Sequence, residues 1–90
     1  MEIIYSPQAQ EDIDYWKKSG NQAIMNRISA LLKDMSAHPY TGIGKPERLK
    51  YGLTGKWSRR INDEHRIIYF VDELAQTIDI LALRYHYTKK

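Results

Sequence analysis

The sequence predicts an α+β fold: an N-terminal strand, then an antiparallel helix pair packed on one face of a mainly antiparallel, twisted sheet. Three observations carry that expectation. Apolar stripes at helical spacing occur before residue 40, β-branched and aromatic runs occur after residue 49, and Gly, Pro or Asn/Asp clusters punctuate both. Helices and strands segregated along the chain are the pattern of α+β architectures. Ninety residues bury too little surface for two separate cores, so residues 1–90 read as one domain.

Residues 2–5 (Glu-Ile-Ile-Tyr) form the short first strand. Ser6-Pro7 then offers a capping hydroxyl followed by a proline at the first helical position, where its missing N–H costs nothing. Ala9, Ile13 and Trp16 recur on one side of this helix, with Glu11, Asp12 and Asp14 placed mostly on the other, and Gly20 stops it. Asn21 caps a second helix whose stripe is Ile24, Ile28, Leu31, Leu32 and Met35, ended by His38-Pro39. The short link from Ser19 to Asn21 makes the two helices antiparallel neighbours.

Residues 40–47, with two glycines and a proline, read as a loop. Gly42-Ile43-Gly44 is no nucleotide fingerprint, since no third glycine or following helix accompanies it. Strands are expected near Leu49 to Leu53, from Trp57 to Ile61, from His65 to Val71 and from Thr77 to Tyr87. Asn62-Asp63-Glu64 and residues 72–76 make the turns between the later ones. The run from His65 to Val71 is apolar at both parities, which predicts a central strand covered on both faces. The helix stripes have only one sheet face to pack on, leaving the other open.

The chain has no cysteine, and its three histidines lack metal-ligand spacing, so neither a disulfide framework, a metal site nor a cofactor is expected. There is no apolar run long enough for a membrane span and no secretory pattern at the N-terminus, and we expect a cytoplasmic protein. The net charge of +3 is unevenly placed. Residues 45–66 hold seven basic side chains (Lys45, Arg48, Lys50, Lys56, Arg59, Arg60, Arg66) against three acidic ones, a local excess of +4. Such a cluster attracts phosphate polymers through counterion release; charge alone fits a solvated surface equally well.

Cleavage of RNA by its own 2′-hydroxyl requires a base for that proton, a cation for the pentacoordinate phosphorane and an acid for the leaving 5′-oxygen. Glu, Arg and His match these roles; Glu47 and His86 are candidates for base and acid, and Arg60 and Arg66 lie within reach of each other across the Asn62 to Glu64 turn. A carboxylate among Lys and Arg is favoured as the anion a base must be, while imidazole titrates near neutrality. Residue type by itself leaves each of these as an ordinary surface side chain too.

Four segments taken together resemble the Txe/YoeB family of toxins in the RelE/ParE superfamily: Gly42-Ile43-Gly44-Lys45-Pro46-Glu47, Gly55-Lys56-Trp57-Ser58-Arg59-Arg60-Ile61, Glu64-His65-Arg66-Ile67-Ile68-Tyr69 and Arg84-Tyr85-His86-Tyr87. With Ser6-Pro7 and Tyr15-Trp16, the similarity spans nearly the whole chain. The resemblance implies a RelE-like microbial RNase fold and a metal-independent endoribonuclease that cuts messenger RNA in the ribosomal A site, blocking translation. It implies a YefM-type antitoxin, a homodimer, contact with ribosomal RNA, and operator DNA bound only through the antitoxin. By position, Glu47 matches the general base, Arg66 the phosphate-stabilising arginine, and His86 with Tyr87 the C-terminal catalytic pair. Lys50, Arg59 and Arg60 match basic positions that hold RNA, and we group Lys45 and Arg84 with them. Ile43 stands where many relatives have lysine, Arg48 where many have proline, and Thr88-Lys89-Lys90 extend past the second tyrosine. Two other functions are compatible with the same residues: a non-catalytic ParE-like toxin acting on DNA gyrase, and a plain RNA- or ribosome-binding module.

Overall fold

The computed structural model describes residues 1–50 and 55–84. Strand β1 (Glu2–Tyr5) leads into helices α1 (Pro7–Ser19) and α2 (Gln22–Ala37), followed by strands β2 (Glu47–Arg48), β3 (Lys56–Arg60), β4 (Arg66–Asp72) and β5 (Thr77–Ala82). The helix boundaries lie where capping chemistry puts them. Ser6 Oγ accepts from the Ala9 N–H (3.0 Å) with Pro7 next in the chain, Gly20 closes α1 in the left-handed conformation, and Asn21 Oδ1 accepts from the Ile24 N–H (3.1 Å).

The five strands are ordered β1-β5-β4-β3-β2, with β1 parallel to β5 and every other pair antiparallel. The parallel contact follows from the helix pair, which is long enough to carry the chain back across the sheet before the antiparallel strands begin. The expected α+β architecture is therefore the observed one. Ile28, Leu31 and Met35 of α2 and Ala9 and Trp16 of α1 are buried together with Ile67, Tyr69, Val71, Ile78, Ile80 and Leu83. This core lies on one side of the sheet.

The strand register assigns the other face. Glu47 opposes Ser58, which opposes Ile68; Lys56 opposes Phe70, which opposes Asp79, which opposes Ile4; and Arg60 opposes Arg66. Here the expectation for β4 needs correction. It is the central strand, but only one of its faces is covered, since Phe70 is 38% exposed while Tyr69 is fully buried. An exposed phenylalanine beside Lys56 and Asp79 reads as apolar in sequence and as surface in space.

Two further boundaries differ from the sequence reading. Glu47 begins strand β2 rather than ending a loop, because the Gly44 carbonyl accepts from the Arg60 N–H (2.7 Å) and draws the chain alongside β3 three residues early. The last strand ends at Ala82 and carries a bulge: Tyr69 pairs with Ile80 but Ile68 pairs with Ala82, so Leu81 is the extra residue. A bulge resets the alternation. Ile78, Ile80 and Leu83 consequently all reach the core, which strict parity does not allow. The expected strand at 49–53 lies partly, and the stretch 85–87 wholly, outside the described residues.

Candidate nucleic-acid cleavage site

The open face of the sheet gathers three of the predicted groups. Glu47 and Arg66 lie on the same face, two strands and two residues apart, which is roughly 12 Å between Cα atoms for ordinary strand spacings. Ser58 and Ile68 lie between them, and Arg60 sits directly across from Arg66. Opposed like charges on neighbouring strands are unfavourable. Among the described residues neither arginine pairs with a carboxylate, so this end of the sheet is a concentrated cationic surface. Glu47, Lys45, Lys50 and Arg60 are exposed.

Arg66 is half-buried and braced. Its Nη1 donates to the carbonyls of Asn62 (2.8 Å), His65 (3.2 Å) and Asp63 (3.4 Å). The turn that offers these carbonyls is itself held by Asn62 Oδ1, which accepts from the N–H groups of Glu64 (2.9 Å) and His65 (2.7 Å). A guanidinium carries five N–H donors in a planar fork, so bracing one nitrogen fixes the plane in which the others lie.

Arg59 is a correction to the sequence reading. Expected as an RNA contact, it is fully buried and points to the helix side, because β3 alternates Trp57 and Arg59 on the helix face with Lys56, Ser58 and Arg60 on the other, where Ser58 is itself buried. Its Nη1 donates to Asp34 Oδ2 (2.7 Å) and the Ile43 carbonyl (3.2 Å), its Nη2 to the carbonyls of Thr41 (2.8 Å) and His38, and its Nε to the Tyr69 hydroxyl (3.2 Å). No donor direction is left for a phosphate. The residue instead ties α2, the loop 38–44 and β4 into one unit. Tyr69 completes the tie by donating to the Pro39 carbonyl (2.9 Å), and burial holds its phenol above the usual range.

The loop wraps tightly over this buried cation. Gly42 and Gly44 both have positive φ (116° and 83°), and a Cβ on Gly44 would sit 2.6 Å from Leu31 Cδ2. Only glycine lets the backbone lie so close to α2 while turning. The Asp34 carboxylate that receives Arg59 also accepts from the Ile43 N–H (3.1 Å), so the segment delivering Glu47 to the sheet edge is anchored from inside.

The hydrogen bond from Arg59 holds the Asp34 carboxyl below its ordinary value of 3.8, against an opposing contribution from desolvation, with further help from the Ile43 N–H. A lowered folded-state value means the unfolded chain binds the proton first. Asp34 therefore stabilises the fold fully above pH 3.8 and loses that contribution as pH falls through its lowered value. In denaturant titrations across pH 2 to 6, Asp34→Asn is expected to be less stable than the parent at the upper end, with the gap closing as the acid limit is approached. A gap independent of pH would contradict the linkage.

Of the remaining predicted site residues, Arg84 is half-buried. Its guanidinium carbon stands over the Tyr15 ring, 3.5 Å from the ring centre. His86 and Tyr87 lie outside the described residues. Arg48, adjacent to Glu47, points to the opposite face and stands 5.9 Å above the Trp57 ring, in a cleft of about 380 Å³ shared with Tyr40, Gly55 and Val71. Sequence reasoning missed Asp12 and Asp34. Both are acids set within apolar helical stripes, Asp12 beside Ala9, Ile13 and Trp16 and Asp34 beside Leu31 and Met35. A charge in such a stripe marks a buried partner.

Toxin YoeB of Escherichia coli K12 is 42% identical over 87 residues, covering 97% of this chain and 100% of the relative. Among solved structures, a YoeB-YefM complex from Staphylococcus aureus superposes with a TM-score of 0.84 at 45% identity, covering 97% of this chain and 98% of the other. A YoeB dimer from the same organism gives 0.85 at 44% identity with the same coverage. A family profile described as the YoeB-like toxin of bacterial type II toxin-antitoxin systems matches residues 5–87, and the chain belongs to that family.

Proposed function

We propose that this toxin is one domain over residues 1–90 that acts in the cytoplasm as a ribosome-dependent endoribonuclease, cutting messenger RNA in the A site. The observation that carries the reading is the cationic open face on which Glu47, Arg60 and Arg66 stand together beside exposed Lys45 and Lys50. Glu47 takes the proton from a 2′-hydroxyl, and the resulting oxyanion attacks the adjacent phosphorus. Arg66, with Arg60 across from it, holds the extra negative charge of the phosphorane. His86 gives a proton to the departing 5′-oxygen, and Tyr87 stacks beside the reacting nucleotide. The products are a 2′,3′-cyclic phosphate and a 5′-hydroxyl, and no metal is needed because the substrate supplies its own nucleophile.

The S. aureus complex supports a YefM-type antitoxin as partner, and the S. aureus dimer supports a homodimer; operator DNA would be reached through the antitoxin. Mapping message ends after expression tests the reading. New 5′-hydroxyl ends within translated frames are expected. Ends bearing 5′-phosphate would overturn the 2′-hydroxyl route, and intact messages with arrested replication would point to gyrase as target.

A further inference from the structure

We infer that Asp12, Tyr15 and Trp16 of α1 are positioning residues for the C-terminal catalytic segment, acting as a clamp on the chain where it leaves the sheet. The inference rests on the functional reading above and extends it to residues that touch no substrate. The sheet ladder ends at Ala82, one residue before Leu83. From there helix side chains replace the missing strand partner. Leu83 N–H donates to Asp12 Oδ2 (2.9 Å) and Leu83 C=O accepts from Trp16 Nε1 (2.8 Å), both bonds buried. One residue's two backbone groups are thus held by two side chains of a single helix.

The clamp is itself fixed. Asp12 is 3% exposed and its Oδ1 accepts from Gln8 Nε2 (2.9 Å); Trp16 packs edge-on to His65, with ring centres 4.8 Å apart. Asp12, Tyr15 and Trp16 have the spacing i, i+3, i+4 of one helix face, and the Tyr15 ring carries Arg84. Because the two buried bonds grip backbone, they set the exit point of the chain whatever side chains follow. His86 stands three residues beyond Leu83, within roughly 10 Å of chain, so the exit point limits where its imidazole can be placed.

The test measures kcat and KM for programmed ribosomes together with hydrogen exchange at the Leu83 amide. Asp12→Ala and Trp16→Phe are each expected to lower kcat by up to about a hundredfold, with KM within about threefold, the signature of a misplaced catalytic group. Asp12→Ala also speeds Leu83 amide exchange, whereas Asp12→Asn keeps an acceptor and retains most of the rate. Tyr15→Leu, at an exposed position that leaves the core intact, is expected to cost roughly three- to fivefold in kcat. Parental kcat in folded Asp12→Ala and Trp16→Phe would overturn the inference, as would a Leu83 amide no faster in Asp12→Ala than in the parent. A parent protein that leaves the message whole would overturn the functional reading instead, and the Leu83 amide, protected in the parent and exchanging in Asp12→Ala, tells the two failures apart.

Discussion

Glu47→Gln is expected to slow message cleavage by about 10²- to 10⁴-fold, the usual worth of a positioned general base. The protein should otherwise be unchanged. Glu47 is exposed on the two-residue edge strand β2, and its backbone pairing with Ser58 does not depend on the side-chain charge. An amide of the same shape removes only the ability to accept a proton. The informative measurements are therefore single-turnover cleavage on ribosomes and the unfolding temperature. Cleavage by Glu47→Gln at the parental rate would remove Glu47 from the reaction; a lost rate with an equal loss of stability would make its role structural.

Arg59→Met is expected to act in the opposite way, through the fold rather than the chemistry. Removing a fully buried guanidinium leaves the Asp34 carboxylate without its cation and the carbonyls of His38, Thr41 and Ile43 without their donor. Asp34 keeps some solvent, so the larger share of the cost falls on the carbonyls that lose their donor, at about 1–3 kcal/mol for each one left buried and unsatisfied. For a chain of this size that lowers the unfolding temperature by roughly 15 °C or more, which a thermal melt measures directly. Arg59→Lys is expected to rescue little, since a point charge cannot reach five acceptors spread around a planar fork. A melt within a few degrees of the parent would show that the loop 38–44 holds itself. If Arg59 were instead a phosphate contact, its replacement would weaken RNA binding at unchanged stability.

The contrast between these two residues marks what primary structure can and cannot convey. Glu47 and Arg59 both fall in the basic stretch 45–66, and charge counting treats Arg59, Arg60 and Arg66 alike. The pleat separates them. Arg59 shares its parity with Trp57 and Ile61, so alternation already hinted that it faces inward, while Arg60 and Arg66 face each other across the hairpin. What alternation could not supply was the partner. Asp34 lies 25 residues earlier on another element, and only the packing of α2 over β3 brings the two charges within 2.7 Å.

Local chemistry determined the elements of this protein. Ser6, Pro7, Gly20 and Asn21 fixed both helix junctions, the stripes of α1 and α2 fixed their buried faces, and Asn62 fixed the hairpin, because capping and periodicity act over four residues or fewer. The fold class was also legible, through the order of elements, whereas the grouping of Glu47 and Arg66 in one site came from the motif resemblance and stands as a proposal, with the strand register adding only that both lie on one face. Tertiary structure alone decided the rest. It placed β1 parallel to β5, inserted the bulge at Leu81 that resets the last strand's parity, drew Glu47 onto the sheet edge and turned Asp12 from a surface acid into a backbone clamp. Each of these joins groups far apart in sequence, and the interactions that choose among such arrangements exist only once the burial of α1 and α2 against the sheet has brought the partners together.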